Sequence, residues 1–496
     1  MVNRRVDTVT SAVPGPYASR HKATVSFYVF FLISSLAIIM CIFFEAEQPF
    51  PLSVSLTLFA GIVIWGLWKV KLSKYSILTR TMIILYSLPF IHCFQHLWHE
   101  RIVYSDRIWG LAPNPYQMDL EIIKRTAMVG CIGAFGLVAG YFSAELKRQK
   151  KTKMLFYVSK SLDRPWFIFI AAISIFFSWI HAPKETILFA AYTTSENWLH
   201  GINFNAAGIL SYIFATLLLV DMFNERVPQI RKFKRAVTLG VFVIIVFWLQ
   251  FMRGDRECAG MIVGFIVLYF LNQSNRFRFN KKRFVAVIIL IVIFFFMAQV
   301  VGQVRSSSFI THQITMPDKF NIISGTWSAA LLTPLSVVGD FYYNLMEPRW
   351  GKTYWDYFLS LPPGILTQLI GIERPIEKTH CPGREMQYGI GGTHAMVVPF
   401  MNFKTFGVFF MLLIYGFFIG KLEMKMQDIN SIKIWLLYGS FFVFAFRWFW
   451  YGEMYLIRGI MAFYVVWLSY RLLPKLSYRP RSEHSRRDQK WVNNTH

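Results

Sequence analysis

The chain has 496 residues, of which 55% are hydrophobic and 18% are aromatic, and it carries a formal net charge of +25. This composition excludes a soluble protein with a single anchor and predicts a helical protein that crosses a membrane many times. The five cysteines are scattered, mostly within apolar runs, so the sequence predicts no disulfide framework.

Twelve apolar segments have roughly the length that a helix needs to cross a bilayer. The sequence therefore predicts an all-α polytopic membrane protein, with spans one to nine in residues 24–302 and three more in residues 403–473. Residues 1–23 and 474–496 form polar, basic tails, and residues 303–402 form the largest extramembrane segment. The predicted spans lie near residues 24–44, 51–68, 80–96, 125–144, 166–180, 206–222, 236–252, 257–272, 284–302, 403–420, 434–450 and 456–473.

The segments that connect these spans alternate in charge. When charges inside a span are assigned to the nearer connecting segment, one set, which includes both tails, carries 35 basic and 9 acidic residues. The other set carries 17 basic and 18 acidic residues, and the two together give the net charge of +25. By the positive-inside rule, the basic set and both termini are cytoplasmic. The excess charge therefore predicts contact with anionic lipid heads and not binding to nucleic acid.

The extramembrane segment 303–402 lies on the outer, non-cytoplasmic face in this topology. Its stretch 354–370 has clustered aromatic and apolar residues, which predicts one or two helices lying in the plane of the membrane interface. We find no internal repeat, so the inverted-repeat architecture of many transporters is not predicted.

The loop Arg253-Gly254-Asp255-Arg256 stands between two long apolar runs, on the same outer face. Charged residues at a membrane edge indicate a site by default, because they are costly to bury. Arginine side chains match the paired oxygens of phosphate or carboxylate groups. The loop is therefore a candidate anion site.

Other ionisable residues lie near predicted helix ends on the outer face. Taken one at a time, the arginines among them are more simply explained as interfacial side chains that reach toward water. Taken together, with few acids to pair with them, they favour an anion site. His394 could take a proton from a sugar hydroxyl or hold a structural hydrogen bond. The set comprises Arg253, Arg256, Arg305, Arg349, Arg374, Arg384, His394, Arg447, Glu453 and Arg458.

Metal binding has little support in the sequence. His92 and His96 are one helical turn apart, as zinc ligands often are, but no second pair of ligands stands out. Glu45 and Glu47 follow the first span, where solvated loop charges are the simpler explanation. We therefore expect no metal and no cofactor.

At these residues the chain resembles the bacterial oligosaccharide repeat-unit polymerases, the Wzy or O-antigen polymerase family. Gly254-Asp255-Arg256 is similar to that family's Gly-x-Arg element, and Arg374-Pro375 is similar to a second element. Thr393-His394 is similar to a third, which the O-antigen ligases share. The resemblance covers roughly residues 236–470.

The resemblance implies a metal-independent glycosyltransferase in the bacterial inner membrane. Its donor is a glycan on a polyprenyl diphosphate in the outer leaflet, and its acceptor is the terminal hydroxyl of a new lipid-linked unit. It implies that Arg256 binds the diphosphate, with help from Arg253, Arg374, Arg447 and Arg458. His394 is then the candidate base or hydroxyl orienter, whereas Glu453 and Asp255 hold arginines or replace it as base.

Three alternatives remain open, and one of them is an outer-face acyltransferase that uses His394 as a membrane histidine. An O-antigen ligase uses the same donor with a lipid A-core acceptor, and a flippase binds the same lipid without forming a bond. Charges gathered at one face argue against the flippase. The expected partners are lipid-linked oligosaccharides and membrane lipids, and the resemblance leaves room for a chain-length regulator.

Overall fold

The computed structural model describes five continuous stretches of the chain together with isolated residues. Every regular element in these residues is a helix, and they contain no strand, in agreement with the predicted all-α class. The described stretches are residues 52–70, 77–90, 115–145, 324–360 and 394–427, and the isolated residues fall between 172 and 245, between 369 and 371 and between 437 and 468.

The chain divides into two compact units. Residues 1–150 and 326–424 form the first unit, and residues 151–325 and 425–496 form the second. All the continuous described helices lie largely in the first unit. They are α1 (Leu52–Val70), α2 (Ile77–Ser87), α3 (Leu120–Glu145), α4 (Ser324–Tyr342), α5 (Lys352–Ser360) and α6 (Val397–Gln427), with single 3-10 turns at Leu88–Phe90 and Pro115–Gln117.

Two of the described helices are long and apolar enough to cross a membrane, namely Leu120–Ala144 in α3 and Val397–Lys425 in α6. They contain the predicted spans 125–144 and 403–420. α1 and α2 overlap the predicted spans 51–68 and 80–96. The other eight predicted spans lie wholly or mostly outside the described residues.

α3 and α6 pack with their backbones in direct contact. A Cβ atom added to Gly140 would collide with the carbonyl oxygen of Leu413, and one added to Gly416 would collide with that of Leu137. Small residues at such an interface allow close approach, which is how membrane helices gain packing energy when lipid offers no hydrophobic driving force. Since both glycines meet backbone atoms, neither site has a side chain that could move aside.

The contacts also fix the relative directions of these helices. Gly133 of α3 lies beside Leu412 of α6, and Ala144 lies beside Gly420, so the two helices run parallel. α2 runs the opposite way, because its first turn meets the end of α6. There the buried carboxylate of Glu423 accepts hydrogen bonds from the Thr79 N–H at 3.0 Å and hydroxyl at 2.6 Å. These directions agree with the order of the predicted spans.

α4 is a helix that the sequence analysis did not anticipate, because it lies in the segment 303–402, where helices were predicted only near 354–370. Residues 330–340 of α4 are all buried within the protein. Thr333, Pro334 and Ser336 interrupt the apolar pattern and lower its apparent hydropathy. The Ser336 hydroxyl donates to the Leu332 carbonyl at 2.9 Å, so burial leaves this polar group satisfied.

Candidate functional site at the start of α6

His394 lies at the start of α6 and is completely buried. Its ring packs against the rings of Tyr86 and Phe90, with centroid distances of 4.7 and 5.2 Å. Its Nε2 lies 2.9 Å from the Tyr86 carbonyl oxygen, and the Met396 N–H donates to Nδ1 at 3.3 Å. Both ring nitrogens are therefore engaged within the protein.

These contacts determine the charge and tautomer of His394. A backbone N–H can only donate, so Nδ1 accepts, and the proton resides on Nε2, where it is donated to the Tyr86 carbonyl. Burial lowers the pKa of His394 to about 4, and the hydrogen bond to Tyr86 opposes that shift only in part. The ring is thus neutral near pH 7 and joins the start of α6 to the end of α2.

α6 is broken one and a half turns after it begins. Phe403 and Lys404 have non-helical backbone angles, and Lys404 has a φ of 54° and a ψ of −150°. A lysine in this region is strained, because it is a conformation that glycine adopts readily and other residues do not. The sequence analysis began this span at residue 403, so it left the short first piece of α6 outside the membrane helix.

The backbone freed by this break is bound by the segment that leads into α5. The Arg349 and Trp350 N–H groups donate to the Met401 and Asn402 carbonyls at 3.0 and 3.2 Å. The Asn402 side-chain oxygen accepts from the Gly351 N–H at 2.9 Å. Irregular backbone at a membrane helix is tolerated where the protein satisfies it, and the segment 349–351 does so here.

An aromatic group surrounds the break. The ring of Phe403 lies 6.5 Å from that of Trp350 and 6.4 Å from that of Tyr354. The Lys404 ammonium lies 5.7 Å from the ring centroid of Phe341, within reach of a cation–π contact. Trp350 also has a positive φ, of 49°. Backbone strain of this kind collects at functional sites, so the break is a candidate place for a ligand to bind.

A second polar cluster joins the start of α3 to the end of α4. The Tyr116 hydroxyl donates to the buried Asp340 carboxylate at 2.8 Å, and the Tyr343 hydroxyl donates to Asp119 at 2.6 Å. Burial raises the pKa of Asp340, and the Tyr116 hydroxyl opposes that shift. Sequence reasoning missed Asp340, because its partner is 224 residues away in the chain.

Glu453 lies in the second unit and is buried. Its carbonyl accepts the Ile457 N–H at 3.2 Å, and it follows Gly452, whose φ is +85°. A positive φ at this position suits glycine, because glycine has no Cβ atom that would make this conformation costly. The Glu453 side chain is thus buried within its unit, and the Glu453 main chain accepts a bond with helical spacing from Ile457.

Most of the predicted site residues lie outside the described residues. Of the predicted catalytic and diphosphate-binding groups, only His394 and Glu453 are described, and each lies in a different unit. Among the described residues, no three His, Cys, Asp or Glu side chains are grouped so that they could hold a metal ion. The predicted residues that lie outside are Arg253, Asp255, Arg256, Arg305, Arg374, Arg384, Arg447 and Arg458, and His92 and His96 lie there too.

Comparison with known proteins identifies the family of this chain. The sequence profile of the family O-antigen polysaccharide polymerase Wzy matches residues 24–328, which is more than half of the chain. The chain belongs to this family. Neither the curated proteins nor the solved structures include a match.

Membership of the Wzy family confirms the resemblance and agrees with the long apolar helices, because Wzy proteins are membrane proteins. The matched range differs from the one that the motifs suggested, which was roughly 236–470. It includes the loop 253–256 but ends before Arg374 and His394. The matched range thus includes residues 24–235, for which the sequence analysis described no family motif.

Proposed function

We propose that this protein polymerises polyprenyl-diphosphate-linked oligosaccharide repeat units at the periplasmic face of the bacterial inner membrane. The observation that carries the proposal is the Wzy family match over residues 24–328, a range that contains both Arg253 and Arg256. The growing glycan is transferred from its lipid carrier onto the terminal hydroxyl of a new lipid-linked unit.

In this reaction the acceptor oxygen attacks the anomeric carbon of the donor glycan. A new glycosidic bond forms while the bond from that carbon to the diphosphate breaks, and polyprenyl diphosphate leaves. Guanidinium groups stabilise the charge that develops on the leaving group, which is why no metal is needed in this proposal. We assign that role to Arg256, with Arg253, Arg374, Arg447 and Arg458.

The hydroxyl proton needs an acceptor. Both ring nitrogens of His394 are bonded inside the protein, which supports a positioning role for this residue at the start of α6. We therefore assign the base to a carboxylate, and Glu453 is the candidate, with Asp255 as the substitute. In this arrangement His394 acts through the backbone that it holds and not through proton transfer.

The test is polymer synthesis by the full chain in vesicles that contain purified lipid-linked repeat units and a metal chelator. We expect Arg256→Ala to abolish long lipid-linked polymer. Lys421→Ala removes one exposed positive charge from the opposite end of α6 and should leave synthesis unchanged. Polymer made by Arg256→Ala at the wild-type rate would refute the site assignment.

Other products of the same assay would refute the function itself. Glycan joined only to an added lipid A-core acceptor would identify a ligase. Substrate that crosses the bilayer with no new glycosidic bond would identify a flippase.

A further inference from the structure

α5 presents three different sides along only nine residues. Thr353, Tyr357 and Ser360 are buried against the protein. Of the six remaining positions, Tyr354 stacks on Phe403, and the other five fall into two groups at about 3.6 residues per turn. The aromatic flank consists of Trp355, Phe358 and Leu359, and the charged flank consists of Lys352 and Asp356.

The distribution is the reverse of that expected for a helix on a water-facing surface. Thr353 and Ser360 face inward beside Tyr357, whereas Trp355 and Phe358 keep 64% and 62% of their surface exposed. Trp350, just before α5, is 77% exposed. Burying large aromatic side chains of this kind contributes roughly 1.5–3 kcal/mol each, so their exposure indicates a surrounding other than water.

The surface next to α5 indicates what that surrounding is. Phe406, Phe410, Ile414 and Phe418 are exposed at intervals of four residues along α6, so they form one stripe on a helix long enough to cross a membrane. In a membrane protein such a stripe faces the lipid chains. It begins directly after the break at residues 403–404.

The start of α5 is bonded to the same place. The Trp350 N–H donates to the Asn402 carbonyl, and the Gly351 N–H donates to the Asn402 side chain. The aromatic flank therefore lies at the level where the lipid-facing stripe of α6 begins. Tryptophan is enriched at that depth of a bilayer, and lysine side chains there reach toward water.

We propose that the aromatic flank of α5 is seated in the bilayer, at the boundary between the lipid headgroups and the acyl chains, with the charged flank turned toward water. α5 is thus a lipid-binding helix that adds a second membrane contact beside α6. Its occupant is lipid, because the flank continues the lipid-facing stripe and is bordered by Lys352 and Asp356.

The position of α5 in the bilayer has a consequence for the substrate, and this step alone rests on the proposed function. Because α5 is bonded to Asn402, its position holds the break at Phe403 and Lys404 at the depth of lipid headgroups. A polyprenyl diphosphate carries its charged group at that depth, and the Lys404 side chain is exposed there. The break then lies at the depth of the diphosphate and not at that of the distal sugars.

The test uses the full chain in vesicles of phosphatidylethanolamine and phosphatidylglycerol. A benzophenone amino acid replaces Trp355, or Lys352 as a matched control on the other flank of the same helix, or Ile414 as a control near the middle of the lipid-facing stripe. All three side chains are exposed, so the replacements leave the core intact. After irradiation, mass spectrometry measures the lipid adducts and locates the carbon that has reacted.

We expect several-fold more lipid adduct from position 355 than from position 352. The adducts from 355 should lie near the glycerol end of the acyl chain, and those from 414 nearer the methyl end. Equal yields from 355 and 352, or a cross-link from 355 to a second copy of the chain, would overturn the proposal. The measurement needs no lipid-linked sugar, so it is independent of whether the polymerase activity is found.

Discussion

The two ends of α6 are held by the same kind of bond but have different structures. At the end of α6, Glu423 accepts hydrogen bonds from the first turn of α2, and the helix there is continuous and packed on α3 through glycine. Near its start, Asn402 accepts a hydrogen bond from the segment before α5, and the helix is broken at the next two residues, Phe403 and Lys404.

The difference shows what each polar group is for. The first N–H groups of a helix have no partner within it, so a side-chain oxygen that accepts them stabilises the helix. Glu423 uses this bond to join two regular helices. Asn402 uses it to hold an irregular backbone, beside strained Trp350 and Lys404. Strain, exposed aromatic rings and the break all collect at the start of α6, so we expect the ligand there.

The largest effect is expected where α6 is regular. Gly140→Leu places a side chain against the Leu413 backbone, which cannot move without separating α3 from α6. We expect a loss of about 3 kcal/mol or more in the free energy of unfolding, because overpacking against backbone is not relieved by a rotamer change. Thermal unfolding in detergent measures it. Gly61→Leu meets no atom within 4 Å and serves as the control. Equal stabilities would contradict the backbone contact.

Glu423→Ala should have the next largest effect. It removes the acceptor for the N–H and hydroxyl of Thr79, both of which stay buried, and an unsatisfied buried donor costs about 1–3 kcal/mol. Glu423→Gln keeps one oxygen acceptor, so its free energy of unfolding should lie between those of the wild type and the alanine variant. Hydrogen exchange at residues 78–80 reports the loss locally. Unchanged exchange in the alanine variant would show that the carboxylate does not cap α2.

His394 should make stability depend on pH. Its pKa in the folded protein, about 4, lies below the ordinary value of 6.5, so the unfolded chain binds the proton more readily. The stabilising contribution is complete above pH 6.5 and decreases as the pH falls toward 4. In His394→Asn the side-chain oxygen can still accept from Met396, but the titration is removed. Subtracting the unfolding curves of wild type and variant across this range isolates the contribution. A flat difference would mean that His394 is not buried as a neutral ring.

Asn402→Ala should lower the free energy of unfolding of the whole protein by less than Glu423→Ala does. It removes the oxygen that accepts from Gly351, a capping contact typically worth about 1 kcal/mol. Faster hydrogen exchange should appear in the first turn of α5 and not in α3. Asn402→Asp retains that acceptor and loses only the bond donated to the Val398 carbonyl, so exchange in α5 should remain slow. Fast exchange in both variants would point to Val398 as the important partner.

The smallest effect, and the one of opposite sign, is expected for Lys404→Gly. Glycine adopts the backbone angles of residue 404 without the steric cost of a side chain, a cost of order 1–3 kcal/mol that is partly offset by the greater freedom of glycine when unfolded. Stability should therefore be equal to or slightly above that of wild type. Lys404→Ala, which keeps a Cβ, should not show the gain. A less stable glycine variant would indicate that the contact with Phe341 outweighs the strain.

The sequence predicted the regular parts of this fold better than the irregular ones. The apolar runs of α3 and α6 identify membrane helices without any partner, because length and hydropathy are properties of the segment itself. α4 was missed because Thr333, Pro334 and Ser336 disguise a buried helix. The start of α6 was placed late, at residue 403, because hydropathy does not show the backbone break at Phe403 and Lys404, which separates a short first piece from the rest of the helix.

The site was harder to predict than the fold. The motif at Thr393-His394 singled out a histidine, but its buried state depends on Tyr86, which is 308 residues away. The family was recognised from motifs between residues 236 and 470, whereas the match to it begins at residue 24. The match thus extends over spans of the first half, in which motif reading found no likeness to the family.

The hydrogen bonds from Arg349 and Trp350 to the Met401 and Asn402 carbonyls join two separate parts of the chain through their main chains. Side-chain substitutions leave such a joint in place, since every residue except proline supplies the same N–H. A displacement of the segment 349–350 is therefore expected to move the first turns of α6 with it. We therefore expect a nanobody bound to residues 345–349 to slow hydrogen exchange in the first turns of α6 without contacting α6 itself.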